Sequence, residues 1–335
     1  MDQLAHTWIA VRAVAWLADE GELEGLVGLL KPYVREASVG AWLPDRSDAR
    51  LSTTRRDNHL FKILPVEFER TRFTKRKQDL LKELGDGRQI YGFLESDHVL
   101  PPAWWATPYK GVASPGQHLP NRAMALSTSL RDLLLLGDDK IDALLPGELK
   151  LPVCMDRHCR TREEAAAMYF FMVSHFMADA AMPCHCDGRL LARAGGKLHS
   201  QLEDYWSRRA GEFFTDENLL GPSSRPSVDS VLEEARRRDA VFDIHFADSI
   251  PEMNADHDVW LETVYACRGS FALASVIAPP EEYPYDSGKL VARQKVLGRG
   301  NPTLQKEVDR ICLHDAVLNT ALVWKHIWKK ASKTS

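Results

Sequence analysis

The stretch AAAMYFFMVSHFMADAAM, residues 165–182, decides the fold. It is apolar on every side of a helical wheel, so a helix here belongs inside a protein or inside a membrane. His175 and Asp179 sit near its middle, and no Lys or Arg lies within a turn of Asp179. An ionisable pair in lipid is costly, whereas a protein interior can supply a compensating charge, and a metal ion is one such charge. The reading is a buried central helix of a water-soluble chain.

Working outward, helical spacing dominates. Residues 4–30 carry apolar side chains at steps of three and four (Trp8, Val11, Ala15; Ile9, Ala13, Trp16), until Gly21, Gly25 and Gly28 weaken the pattern. The same period suits 61–84, 122–136, 162–181, 198–214, 226–240, 257–275 and 302–329. Few runs alternate with period two, so no sheet is expected and the fold class is all-α. The Pro and Gly clusters, such as Pro101-Pro102, Gly221-Pro222 and Pro279-Pro280, are too short for interdomain linkers. The expected organisation is a catalytic core over 1–215, with an insert within 60–174, and a helical extension over 216–335 packed on that core.

Composition bounds the function. A chain of 335 residues with 44% hydrophobic and 27% charged residues is no disordered protein and can bury a sizeable core. Its 43 Lys plus Arg against 47 Asp plus Glu give a net charge of -4, so any phosphate has to be gripped locally rather than by a global field. Six cysteines are too few for a disulfide scaffold. The first residues show neither a basic segment nor a small-residue cleavage site, which points to the cytoplasm and leaves open export by a signal-less route.

The chemistry concentrates downstream of the central helix. His175 and Asp179 are four apart, as are His199 and Glu203, and His185 lies between the two pairs. Residues four apart on a helix share a face, which lets imidazole and carboxylate converge on one ion, and this nitrogen and oxygen set suits Zn²⁺. A lone histidine on a helix is usually an ordinary core or surface residue; five such groups at these spacings make a ligand set the better reading.

The run HFMADAAMPCH (175–185), with His199 and Glu203 beyond it, resembles the zinc-dependent phospholipase C and S1/P1 nuclease superfamily. The likeness extends to an early histidine in AHTWIAVRA (5–13), and to Asp45 after the Trp-containing run GAWLPD (40–45) with His59 fourteen residues later. The resemblance implies an all-α fold around three zinc ions. It implies that Asp45, His59, His175 and Asp179 hold one ion, and that His185, His199 and Glu203 hold a second. His6 and Asp179 would hold a third, together with the amine and carbonyl of the first residue, here Met1, with Asp179 as a bridge. It implies phosphoester hydrolysis by a zinc-held water, whose pKa falls from about 15.7 toward about 7, with Asp45 as general base or water orienter.

Glu203 and the short gap from His185 to His199 resemble the phospholipase branch, so a phospholipid headgroup is the expected substrate. Choline-selective relatives place aromatic residues where this chain has Arg46 and Arg56, which repel a quaternary ammonium; Arg55 and Arg56 either suit an anionic headgroup or an extra phosphate or are ordinary solvated arginines. The alternative is an S1/P1-like single-strand nuclease or 3′-nucleotidase, for which nucleic acid is the partner. A third reading is a non-catalytic, zinc-stabilised interaction module, which requires closed coordination.

The 115 residues between His59 and His175 include a basic run (Arg70, Arg72, Lys75, Arg76, Lys77) and aromatics (Trp104, Trp105, Tyr109). These form either a lid or peripheral membrane patch, or a solvated helix face over core aromatics. Cys154, Cys159, Cys184 and Cys186 have unusual spacings for a zinc knuckle and are expected as buried thiols. Asp256-His257-Asp258 and His314-Asp315 are expected at the surface, because adjacent helical residues diverge.

Overall fold

The computed structural model describes residues 2–46, 59–61, 63–65, 97–99, 119–136, 151–154, 157–159, 161–187, 197–222, 225–277 and 302–332. These are predominantly helical. In chain order they contain α1 (Gln3–Glu20), α2 (Glu24–Leu30), a 3₁₀ turn (Lys31–Glu36), α3 (Ala37–Gly40), β1 (Ile63–Pro65), β2 (Asp97–Val99), α4 (Leu119–Leu135), β3 (Leu151–Cys154) and β4 (Arg157–Cys159). Then follow α5 (Arg162–Ala180), α6 (Pro183–Cys186), α7 (Lys197–Ala210), α8 (Asp216–Leu220), α9 (Val228–Phe242), α10 (Val259–Ile277) and α11 (Pro302–Ser332).

Helix α5 is the axis of the fold, and its burial follows from its sequence. Thr161 caps it, accepting a hydrogen bond from the Glu164 amide at 3.1 Å, and Glu163 and Glu164 complement the positive helix end. From Ala165 to Ala180 every side chain except the half-buried Tyr169 is buried, so α5 has to be covered on all sides. Helices α1, α3, α4, α10 and α11 supply that cover. Trp324 of α11 donates its indole N–H to the Phe170 carbonyl of α5 at 2.9 Å.

Helix α1 is the second buried rod. Asp2 caps its start at the Gln3 amide, and Gly21, at φ 72, ends it in the left-handed region that a side chain would resist. Helix α9 lies along it, fixed by Trp8 Nε1 donating to the Ala235 carbonyl at 3.0 Å and by the Arg12 to Asp239 ion pair at 2.8 Å. One apolar cluster therefore runs from Ala5 to Ile327, and the helices after residue 216 form walls around α1 and α5.

Two short antiparallel ribbons depart from the purely helical reading. Ile63 pairs with Val99, Leu64 with His98 and Pro65 with Asp97, while β3 pairs with β4 around a bulge. The expectation of a helix starting at 61 is thus corrected over 63–65. Leu64 precedes a proline, which pushes it out of the helical region, and Ile63 is β-branched. Residues 62 and 66–84 lie outside the described residues. Among the described residues, no helix is long and apolar enough to cross a membrane.

Candidate metal centre

The two buried rods and four shorter segments bring eight donor residues to one place. On α5, His175 Nε2 lies 3.2 Å from Asp179 Oδ2, the juxtaposition that a four-residue helical step provides. From α1, His6 stacks on His175 with ring centroids 3.9 Å apart and places Nε2 3.7 Å from Asp179 Oδ1. His59 Nδ1 lies 2.8 Å from Asp179 Oδ2 and 3.0 Å from His175 Nε2. Asp45 Oδ1 is 3.6 Å from His59 Nε2 and 3.8 Å from His175 Nε2. His185 of α6 places Nδ1 3.2 Å from Asp179 Oδ1 and Nε2 2.8 Å from His199 Nε2. On α7, His199 Nε2 lies 2.8 Å from Glu203 Oε1.

These groups form three clusters able to hold metal ions: His6, His175 and Asp179; Asp45, His59 and His175; and His185, His199 and Glu203. Asp179 connects them, with Oδ2 facing His59 and His175, and Oδ1 facing His6 and His185. Met1 and Arg56, both expected in the site, lie outside the described residues, as do the basic and aromatic residues of the insert. Arg46 is exposed immediately after Asp45.

Local backbone geometry sets these positions. His175 Nδ1 donates to the Ala41 carbonyl at 2.7 Å, which leaves the Nε2 lone pair directed at Asp45, His59 and Asp179. Ala41 reaches that point because α3 presses onto α5 at Gly40, where an added Cβ would meet Phe171 Cβ at 2.7 Å. The 59–61 segment is stitched down by Phe61 N–H donating to the His185 carbonyl at 3.1 Å and Leu119 N–H to the Leu60 carbonyl at 3.2 Å. The His59 ring lies on Phe176 at 5.2 Å.

The donors fit a cation by chemistry as well as by distance. His6 is buried with neither ring nitrogen hydrogen-bonded, and the only group facing His185 Nδ1 among those described is the Asp179 carboxylate at 3.2 Å. Burial of such nitrogens is unfavourable unless something binds them. Imidazole nitrogens also face each other at 2.8 and 3.0 Å, where two lone pairs would repel without a proton or a cation beside them. Four ligands placed tetrahedrally about 2.0–2.1 Å from an ion are about 3.3 Å apart, within the spread of gaps found here.

Protonation states point the same way. Burial, reinforced by the charge of His175, drives His6 well below its usual pKa, and burial lowers His185 to about 3. Both are therefore neutral imidazoles near pH 7, the form that ligates metal. Burial pushes Asp179 up, but His175 and then His185 outweigh it and hold the carboxyl well below its usual range. Exposure grades across the centre. The Asp179 and His175 side chains are at most 1% exposed, whereas Asp45 keeps 33%, His199 26% and Glu203 21%, so the centre opens on that side.

The other metal-capable residues lie elsewhere. Cys159, Cys184, Cys186, Cys267 and Cys312 are buried, and burial raises the pKa of Cys267 and Cys312, which keeps them protonated. Cys154 lies in β3, with Arg157 as its cross-strand neighbour. Asp256 and Asp258 are exposed, while His257 pairs with Glu262 at 3.0 Å and stacks on Tyr265. His314 is half-buried against Phe246, beside Asp315.

Sequence reading overlooked the Ala41 carbonyl, Phe176 beneath His59, and Trp42, whose ring lies 6.1 Å from His6 and 6.4 Å from His175. Only Trp42 carried a signal, as the aromatic residue of the run preceding Asp45. No family model matches the chain, and neither does any curated protein or solved structure with which it was compared.

Proposed function

We propose that this chain is a zinc-dependent phosphodiesterase of the phospholipase C type, holding three zinc ions around Asp179. The observation that carries the reading is the convergence of His6, Asp45, His59, His175, His185, His199 and Glu203 on one buried carboxylate. Their identities and order along the chain also follow the pattern shared with zinc-dependent phospholipases C and S1/P1 nucleases.

Asp45, His59, His175 and Asp179 would hold one ion, His185, His199 and Glu203 a second, and His6 with Asp179 the third, His175 serving one ion through its single free nitrogen. Bound zinc supplies Lewis acidity toward phosphate oxygens and lowers the pKa of water toward about 7. The protein's own groups do the rest. Asp45, the most exposed carboxylate of the set, would accept a proton from an attacking water and orient it. Neutral His6 and His185 leave the excess positive charge of the ions uncancelled by further anions, which draws a phosphodiester. Arg46 is exposed beside Asp45, within the region an anionic headgroup would occupy. The partly open side at Asp45 and Glu203 favours a catalytic centre over a closed structural one.

The test is to incubate the protein with anionic and choline phospholipids, single-stranded DNA and nucleoside 3′-phosphates, with and without a chelator. Chelator-sensitive release of a phosphorylated headgroup is the expected result. Hydrolysis of DNA without lipid would reassign the chain to the nuclease branch, and zinc binding without any hydrolysis would leave the structural-zinc reading.

A further inference from the structure

Helix α7 carries His199 and Glu203, yet among its described side chains only Leu202, Trp206 and Ala210 are buried apolar anchors. His199, Glu203, Trp206 and Ala210 fall on one stripe, at steps of four, three and four, so what holds Trp206 also aims the two donors. Trp206 is fully buried, and its indole N–H donates to Asp309 Oδ1 at 2.6 Å. Asp309, fully buried on α11, also accepts from Gln305 Nε2 at 2.5 Å and, through Oδ2, from Arg209 Nη1 at 3.3 Å. Arg209 is in turn fixed by Tyr205 at 2.7 Å, by the Val241 carbonyl and by the ring of Phe242.

A carboxylate so buried is a poor packing residue. Burial lifts Asp309 to about 6 against the hydrogen bonds from Trp206 and Gln305 and the charge of Arg209, and a hydrophobic side chain would fill the space at less cost. What the carboxylate provides is direction, because it grips α7 at two positions from a separate helix. One residue of slip on a helix is 100° and about 1.5 Å, whereas metal ligands tolerate about 0.2 Å.

We propose that Asp309 is a positioning residue for the third cluster: by holding Trp206 and Arg209 from α11, it sets the rotation and axial placement of α7 and so aims His199 and Glu203 at His185. The inference rests on the metal-centre reading.

The test uses the full chain, stripped of metal and titrated with Zn²⁺ against a chromogenic chelator, and separately with Co²⁺ to read the absorption bands of each ion. Asp309→Leu is expected to weaken one of three ions by about 10–100-fold and to change one cobalt signature, leaving the other two as in the wild type. Asp309→Asn, which keeps an acceptor for Trp206, should recover part of that loss. Lys325→Met removes an equally buried charge from α11 at its bonds to Glu20 and the Ile250 carbonyl, away from α7, and should lower thermal stability with all three affinities unchanged. If Asp309→Leu does not fold, Trp206→Phe, which deletes the indole donor, should weaken the same ion. Folded Asp309→Leu or Trp206→Phe with wild-type affinities and cobalt bands would overturn the proposal. So would weakening of all three ions alike by Asp309→Leu and Lys325→Met. A wild-type protein that takes up no metal would instead defeat the metal-centre reading itself, before any variant is made.

Discussion

At the inner end of the centre, His6, His175 and Asp179 project from two core helices and are at most 1% exposed, while at the α7 end His199 and Glu203 keep 26% and 21% of their side chains in solvent. The donor types are the same at both ends, but their restraint differs. The inner groups are fixed by close packing, where a displaced side chain has nowhere to go. The outer pair depends on the docking of one helix through a few side chains. Ligand identity alone therefore does not set how firmly an ion is held.

The largest effect should come from Asp179, which faces donors of all three clusters. Asp179→Asn should lower zinc content by more than one ion per chain, with hydrolysis reduced far beyond the about 100-fold typical of changes behind the ligands. Glu203→Ala should remove one ion and leave two, because only the α7 end uses that carboxylate. Elemental analysis of both purified variants separates the outcomes, and equal losses would erase the distinction between the ends.

The pH dependence of the metal-free protein sharpens the comparison further. His185 stays neutral to about pH 3 when folded but takes a proton near 6.5 when unfolded. The unfolded chain then binds more protons, so stability should be flat above about pH 6.5 and fall from there toward 3. His6, lowered by burial and by His175, acts in the same direction. The slope should reach up to about 1.4 kcal/mol per pH unit for each such histidine. Urea unfolding across this range checks it, and a flat profile would mean that these rings are not held neutral by burial.

The smallest effect is expected at Gly40. An added Cβ would meet Phe171 at 2.7 Å, so Gly40→Ala should destabilise by about 1–3 kcal/mol through displacement of α3. Because α3 also carries Ala41 toward His175, inner ions should weaken before the ion at α7 does, and metal titration beside thermal melting would show the order.

Much of this centre was legible in the chain because helical steps of four are local: His175 with Asp179 and His199 with Glu203 meet by backbone geometry alone. The all-round apolar character of 165–182 likewise dictated burial before any partner helix was known. What escaped reading was contact between distant elements. The Ala41 carbonyl is a backbone group with no residue-type signal, and the Trp206 to Asp309 bond joins residues 103 apart. The 63–65 strand carries little signal, because three residues are too few to display alternation and Pro65 is the one local sign against the apolar period.

The central claim is that Asp179 sits among three ions. Diffraction from crystals of the zinc-loaded protein, recorded on both sides of the zinc absorption edge, tests it most directly. Three anomalous peaks, each beside one of the three donor clusters and with Asp179 at their centre, are the predicted result. Peaks away from these residues, or none in crystals whose histidines and carboxylates are well ordered, would contradict it.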